Sequence, residues 1–206
     1  MTRPTIRTAS GLWLALCGLC AACSPEPVGR YVDPNIGGVA PLLTTVAPQV
    51  HRPHAMVRIY PVTEPGLEDR YLSDRIYGVA LNMPRYRQGV AGSVMPTAGP
   101  LTFDRDSSSS WYDHALEELH PWSHRVWLED FAVSAEWTTT CRTALYAFDF
   151  TDPWRDANVL FRLTAPGQVR VEERRIVAGW EQVDYARQYF YAVADRPFAR
   201  AGTASQ

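Results

Sequence analysis

The chain has 206 residues, about one and a third times a domain of ~150 residues, so one domain with an appendage is expected. Hydrophobic residues make up 46% and aromatic residues 12% of the sequence, which excludes a disordered chain. The 20 basic residues nearly balance the 22 acidic ones, and this argues against a nucleic-acid-binding protein, which would carry a clustered basic excess.

The N-terminus has the pattern of an export signal. Two arginines precede an apolar run at 11–19, which is too short to cross the ~30 Å hydrocarbon core of a membrane as a helix. We therefore predict a signal peptide over residues 1–22. The small pair before Cys23 resembles a bacterial lipobox, which predicts cleavage before Cys23 and its modification by lipid. Plain secretory cleavage near Ala22 is the alternative.

The mature chain is then expected to be exported and anchored to a membrane through Cys23, in the periplasm, at the outer membrane or on the cell surface. Residues 23–30 contain two prolines and form a predicted tether to a domain over residues 31–206. No further segment is predicted to span a membrane, and no intramolecular disulfide is expected. Cys141 lies in an alternating pattern that predicts a small buried hydrophobic side chain.

The rest of the sequence predicts an all-β domain. Short runs rich in β-branched and aromatic residues are separated by turn residues. These predicted strands are 56–60, 75–81, 124–131, 132–140, 143–150, 158–164, 169–171, 175–182 and 188–194.

Their arrangement predicts an antiparallel β-sandwich of two sheets. In the run 143–150, Ala144, Tyr146, Phe148 and Phe150 point to one side, as in a strand half-buried between sheets. Many strands at short spacing are typical of a sandwich. One short helix is predicted over 111–119, with a preceding serine as its N-cap and a proline as its end.

Two histidine pairs raise the question of a metal site. His51 and His54 are three apart, and His120 and His124 are four apart. Pro121 forbids a regular helix through the second pair, and on a strand residues four apart lie about 13 Å from each other. We predict no metal site at either pair, and expect surface or inter-sheet histidines instead.

Aromatic residues point to sugar contacts. The sequence has seven Trp and ten Tyr, and a pyranose presents an apolar face that stacks on a flat ring. Four aromatic residues lie close in sequence to three histidines and three acids: Trp111, Tyr112, Trp122 and Trp127 beside Asp113, His114, Glu117, Glu118, His120 and His124. The alternative for each ring is a place in the core.

Several runs resemble glycoside hydrolase family 92, the bacterial exo-acting α-mannosidases. The resemblance covers roughly residues 31–198 and rests on the order and spacing of its motifs. They are YVDPNIG at 31–37, PHAMV at 53–57, YxSDxIxG at 71–78, MPTxG at 95–99, and the segment from DH at 113–114 to WTTTxR at 137–142. The family's histidine-rich run after the Gly78 position is replaced by VALNMP at 79–84, as in a divergent subgroup with another glycan.

The resemblance implies an N-terminal β-sandwich that forms one wall of a sugar pocket. In the family an (α/α)6 barrel follows and carries the calcium site and the catalytic acid and base of an inverting mechanism, which needs two carboxyl groups ~6.5–9.5 Å apart. We expect this chain to lack the barrel, to hold no cofactor or catalytic residue, and to bind a mannoside-like glycan. A separately encoded barrel is a possible partner.

The resemblance also suggests sugar-contacting residues. By position in the motifs these are Arg70, Tyr71, Asp74 and Asn82, with Trp122 as an outside candidate, because arginine forks and carboxylates suit vicinal hydroxyls. A surface ion pair is the alternative for Arg70 and Asp74. Two other functions stay open for the whole chain: a stand-alone glycan-binding surface lipoprotein, and a non-functional truncated remnant.

Overall fold

The computed structural model describes residues 28–38, 48–64, 73–84 and 90–204. The chain divides into two compact units, 1–31 and 32–206. In the first, the described residues form a 3-10 helix, Val28–Tyr31. The predicted signal peptide and Cys23 lie outside the described residues. Within the described ranges, no helix has the length and apolar character needed to cross a membrane.

The second unit is built almost entirely of strands. Its described residues form fifteen strands and a 3-10 helix, His114–Leu116. The strands are Val50–His51 (β1), Arg58–Ile59 (β2), Pro61–Val62 (β3), Arg75–Ile76 (β4), Gly78–Asn82 (β5), Ala91–Ala98 (β6), Ser110–Trp111 (β7), Glu118–His120 (β8), Ser123–Leu128 (β9), Val133–Thr139 (β10), Ala144–Phe150 (β11), Ala157–Arg162 (β12), Gly167–Glu172 (β13), Ile176–Val183 (β14) and Ala186–Val193 (β15).

Two antiparallel sheets share one hydrophobic core, which confirms the predicted sandwich. One has the strand order β11-β10-β9-β8 and the other β12-β6-β5-β3. Both sheets contribute to a single cluster that includes Trp137 and Leu128 of the first sheet and Val94 and Met95 of the second. Burial of this apolar surface, at ~25 cal/mol per Å², is the main force that holds the sheets together.

Strand β11 follows the predicted alternation. Tyr146, Phe148 and Phe150 pack against the shared core, whereas Leu145 on the opposite side is 66% exposed. The phenol of Tyr146 donates a hydrogen bond to the carbonyl of Ala80 in the other sheet, at 2.8 Å. An aromatic ring with a polar tip therefore connects the two layers.

A third sheet of order β13-β14-β15 extends from this sandwich. It is attached through Glu181 of β14, which is buried and whose carboxylate accepts hydrogen bonds from the amide (2.9 Å) and hydroxyl (3.2 Å) of Thr164. The oxygen of this hydroxyl also lies 2.8 Å from the carbonyl of Val90, so its single proton is shared between the two acceptors. These bonds satisfy the buried carboxylate and fix the third sheet against the start of β6.

The fully buried strand β6 was not predicted from the sequence. Every residue of it is buried, but Gly92 and Pro96 are poor strand formers. The pairing with β5 runs from Asn82↔Ala91 to Val79↔Val94, so Pro96 lies beyond it. Pro96 therefore needs no amide hydrogen for that ladder.

The prediction for residues 111–119 was wrong. Ser110 and Trp111 form strand β7, and a three-residue 3-10 turn follows at His114–Leu116. Its N-cap is Asp113, whose carboxylate accepts from the amide of Ala115 at 2.8 Å. The serines are engaged elsewhere: Ser108, Ser109 and Ser110 are buried.

The prediction of a buried Cys141 was also wrong. Cys141 is free and exposed, in the turn between β10 and β11. The alternation of β10 ends at Thr139, and hydrogen bonds between Thr140 and Thr143 then close the turn. The cysteine is carried at its tip, outside both strands.

Candidate functional site

A polar pocket lies where strands β4 and β7 pair. Arg75 stands directly opposite Trp111, and Ile76 opposite Ser110. The amide of Tyr112 donates to the carbonyl of Asp74 at 2.9 Å, which extends the ladder by one residue. This short antiparallel pair brings the charged residues of the 74–75 segment beside an exposed indole.

The pocket has a volume of about 500 Å³, within the range of small-molecule sites. We call it the Asp74 pocket. Its lining combines three carboxylates, two guanidinium groups and two aromatic rings: Glu64, Asp74, Asp106, Arg75, Arg105, Tyr77 and Trp111. The carboxylates accept hydrogen bonds and the arginines donate them, so the lining can serve both sides of a hydroxyl group.

Arg75 is held in place by three contacts. Its guanidinium carbon lies 5.0 Å from the ring centre of Trp111, a cation–π distance. Its Nε donates to the hydroxyl of Ser109 at 2.7 Å, and its Nη2 donates to the carbonyl of Asp106 at 3.2 Å. The fork is therefore oriented before any ligand arrives.

Arg105 forms a second arginine–aromatic pair. Its guanidinium carbon lies 4.0 Å from the ring centre of Tyr77. Arg105 belongs to the loop before β7, whose conformation is fixed by Asp104. The carboxylate of Asp104 accepts from the amide and the hydroxyl of Ser107, at 2.8 and 2.6 Å, and these bonds lower the pKa of Asp104.

A chain of polar groups supports the pocket; it is buried at Glu117 and His124, whereas the side chain of His114 is 26% exposed. His114 Nε2 contacts the carbonyl of Ser73 at 3.0 Å, and its Nδ1 contacts Glu117 Oε2 at 2.9 Å. The other oxygen of Glu117 is hydrogen-bonded to Nε2 of His124. The imidazole of His124 packs on the indole of Trp137, with ring centres 4.4 Å apart. We call His114, Glu117 and His124 the buried triad.

The charges of the triad follow from burial and hydrogen bonding. Burial raises the pKa of Glu117, but the hydrogen bonds from His114 and His124 outweigh it and lower that pKa to about 2. The hydrogen bond to Glu117 raises the pKa of His114 above its ordinary value. Burial lowers the pKa of His124, so of the two histidines His114 is the one that keeps a second proton to higher pH.

The structure gives no sign of a metal centre in the residues it describes. Among them, no group of three or more histidine, cysteine or acidic side chains could hold an ion. Of the two histidine pairs, His124 is completely buried between the sheets and His54 is exposed. His51 contacts the carbonyl of Ala55 at 3.3 Å, and His120 stacks on Trp122 with ring centres 5.1 Å apart.

The structure places the predicted sugar contacts in different regions. Asp74 lines the pocket. Asn82 lies in β5, where its side-chain oxygen accepts from the amide of Arg58 at 3.1 Å. Trp122 is half-exposed in the turn between β8 and β9, and neither of these two lines the pocket. Arg70 and Tyr71 lie outside the described residues.

Most of the pocket was missed by sequence reasoning. Trp111 was singled out only as one of several crowded aromatic residues. Arg75 was assigned to a predicted strand, and Arg105 and Asp106 lie in a segment with no apolar period. Their common signal is the alternation of arginines and acids beside aromatic residues, which becomes visible once β4 and β7 are paired.

Comparison with known structures shows similarity to one group of enzymes. An inverting mannosidase of family GH92 from Bacteroides thetaiotaomicron matches with a TM-score of 0.70 and 21% identity, over 82% of this chain and 25% of that one. A GH92 α-mannosidase from the same organism, in complex with mannoimidazole, matches with a TM-score of 0.63 and 19% identity, over 75% of this chain and 23% of that one. The GH92 glycosyl hydrolase ccman5 matches with a TM-score of 0.61 and 17% identity, over 80% and 26%.

This chain therefore spans about a quarter of the length of these structures. A search of curated protein sequences found no match. The family described as the glycosyl hydrolase family 92 N-terminal domain matches residues 31–206. On the strength of that match, which covers most of the sequence, this chain belongs to the glycosyl hydrolase family 92 N-terminal domain family.

Proposed function

We propose that this domain binds a mannoside-like glycan in the Asp74 pocket and forms one wall of the sugar site of a family-92 glycosidase. The exposed indole of Trp111 carries the proposal. Trp111 is 43% exposed, although the large side chain of tryptophan is mostly buried in a typical fold. Arg75 keeps the indole in place from the opposite strand.

The polar lining supports the same ligand class. A pyranose has an apolar face, which suits the indole, and a rim of hydroxyls that need both donors and acceptors. Asp74 and Glu64 supply acceptors, and Arg75 supplies a fork that is already oriented. A hydroxyl forms a stronger hydrogen bond with a charged partner of this kind than with a neutral one.

We propose that catalysis is completed by a separate domain. The relatives are about four times as long as the stretch that this chain matches, and inversion needs two carboxyl groups on opposite sides of the scissile bond. The catalytic acid, the base and the calcium of the family would then come from the barrel expected above. Export and anchoring through Cys23 would place the complex outside the cytoplasm.

The direct test is titration of the purified full chain with methyl α-D-mannopyranoside by calorimetry. We expect saturable binding, and an affinity about tenfold weaker in Trp111→Ala, equivalent to about 1.4 kcal/mol. Asp74→Asn should weaken binding too, because an amide is a poorer acceptor than a carboxylate. Trp154→Ala is the matched control, since Trp154 is 93% exposed and does not line the pocket.

Two results would contradict the proposal. Equal affinities for Trp111→Ala and Trp154→Ala would show that the pocket is not where the sugar binds. Hydrolysis of a chromogenic α-mannoside by this chain alone, at enzyme-like rates, would show that the catalytic groups lie within it.

A further inference from the structure

The hydrogen bonds of His114 define its protonation state by geometry. Its Nε2 lies 3.0 Å from the carbonyl of Ser73, and its Nδ1 lies 2.9 Å from the carboxylate of Glu117. A carbonyl and an ionised carboxylate only accept hydrogen bonds, so both ring nitrogens must donate. The arrangement therefore requires the imidazolium form of His114.

The bond to Ser73 links this proton to the sugar pocket. Ser73 is 2% exposed, so its carbonyl has little access to water and depends on a protein donor. The next two residues, Asp74 and Arg75, line the pocket, and Arg75 pairs with Trp111. The hydrogen bond that fixes Ser73 therefore also fixes the backbone leading into β4, which places the carboxylate of Asp74 and the guanidinium of Arg75 in the pocket lining.

We propose that His114 is a positioning residue of the Asp74 pocket, and that its doubly protonated form keeps the pocket in its binding geometry. When His114 loses a proton, one of its two ring nitrogens can no longer donate. Either the carbonyl of Ser73 or the carboxylate of Glu117 then lies against the lone pair of that nitrogen. Leaving a buried acceptor unpaired is costly, so the 73–75 segment shifts to find another donor. Sugar affinity therefore falls as the pH rises through the titration of His114.

The other two members of the triad explain why His114 is the residue that carries the additional proton. Nε2 of His124 donates to Glu117, while its Nδ1 is buried without a hydrogen-bond partner among the described residues. Protonation of His124 would place an N–H at this Nδ1 with no acceptor among the described residues, so the charge resides on His114. The titratable groups that face His114 from its own segment and from the neighbouring strand β9 are Tyr112, Asp113, Glu117 and His124.

This inference rests on the proposed sugar site, so its test has two independent readouts on the full chain. Side-chain NMR follows the ring nitrogens of His114 and the indole NH of Trp111, assigned with Trp111→Phe, as the pH is raised. Calorimetry follows the affinity for methyl α-D-mannopyranoside over the same range. We expect His114 to titrate above its ordinary value of 6.5, the Trp111 signal to move with the same midpoint, and the affinity to fall at least fivefold.

Variants separate positioning from a general effect on the fold. His114→Gln should abolish both pH steps, because the amide does not titrate. Asp113→Asn, which keeps the cap acceptor for Ala115, should move the midpoint to lower pH by removing a nearby negative charge. His51→Gln is the matched control. His51 also contacts a backbone carbonyl, that of Ala55, but no carboxylate among the residues that the structure describes, and both steps should persist.

The outcomes are distinguishable. If Trp111 does not respond while His114 titrates, or if the affinity step persists in His114→Gln, the positioning proposal is refuted. If the mannoside binds at no pH but the Trp111 signal still follows His114, the proposed sugar site fails and the coupling of His114 to the pocket stands.

Discussion

Replacing Glu117 by glutamine tests the charge distribution in the buried triad through stability. The side chain of Glu117 is 5% exposed and joins both histidines. Glutamine has nearly the same shape but cannot carry the charge that keeps His114 protonated. Glu118→Gln is the control, because the neighbouring carboxylate is 59% exposed and pairs with Arg125 at 3.1 Å, a surface contact worth at most ~1 kcal/mol.

The magnitude follows from the pKa of Glu117, which is lowered from 4.5 to about 2. This difference corresponds to about 3 kcal/mol in favour of the ionised, folded state. Because the folded-state pKa lies below the unfolded one, the stabilisation is present above pH ~4.5 and is lost as the pH falls towards the folded-state value. By linkage, about 2 kcal/mol of it disappears between about pH 5 and pH 3.

Urea unfolding of the full chain, followed by tryptophan fluorescence at both pH values, measures this loss. At the higher pH, Glu117→Gln should be about 3 kcal/mol less stable than the wild type, because a buried pair has been broken. On acidification it should lose about 2 kcal/mol less than the wild type or Glu118→Gln. If all three proteins lose the same amount, Glu117 is not held as a buried anion and the charge assignment is wrong.

Three further predictions concern the fold. Trp137→Ala removes a fully buried indole and should reduce the free energy of unfolding by about 3 to 5 kcal/mol in the same urea assay. A smaller change than that of an exposed tryptophan variant would contradict the place of Trp137 in the core. Gly92→Ala should lower the melting temperature, as expected for a loss of about 1 to 3 kcal/mol in the free energy of unfolding. The φ of residue 92 is +66°, and the new Cβ would lie 2.9 Å from Cδ1 of Leu81. An unchanged melting temperature would count against this backbone geometry. Native protein should be alkylated at the exposed Cys141 without unfolding, as peptide mass mapping would show; protection until urea is added would restore the buried alternative.

The strands that could be predicted are those whose pattern is local. Within β9–β11 and within β13–β15 each strand pairs with the next one in sequence, and each presents alternating or β-branched residues between turn residues. Strand β6 was not predicted, because its burial comes from pairing with β5 and β12. Its own sequence is atypical of a strand, since it contains Gly92 and Pro96. Sequence patterns report propensity, and tertiary pairing can override it.

The pocket could be predicted only in part for a similar reason. Asp74 was found through a family motif, but its neighbours assemble through contacts between distant segments. The bond from Arg75 to the carbonyl of Asp106 joins residues 31 positions apart, and no periodicity records it. The proximity of His114, Glu117 and His124 was visible in the sequence, whereas the nitrogen that bonds each oxygen is known only from the coordinates.

The central place of β6 has a consequence for biosynthesis. One neighbour of β6, strand β5, precedes it closely, but the other, β12, begins only at Ala157. A nascent chain that has not yet reached that point exposes a long edge of an apolar strand, the kind of edge that recruits other chains. Non-local pairing of this sort also slows folding. Chaperone protection should therefore matter most while the ribosome is adding the segment between these two strands.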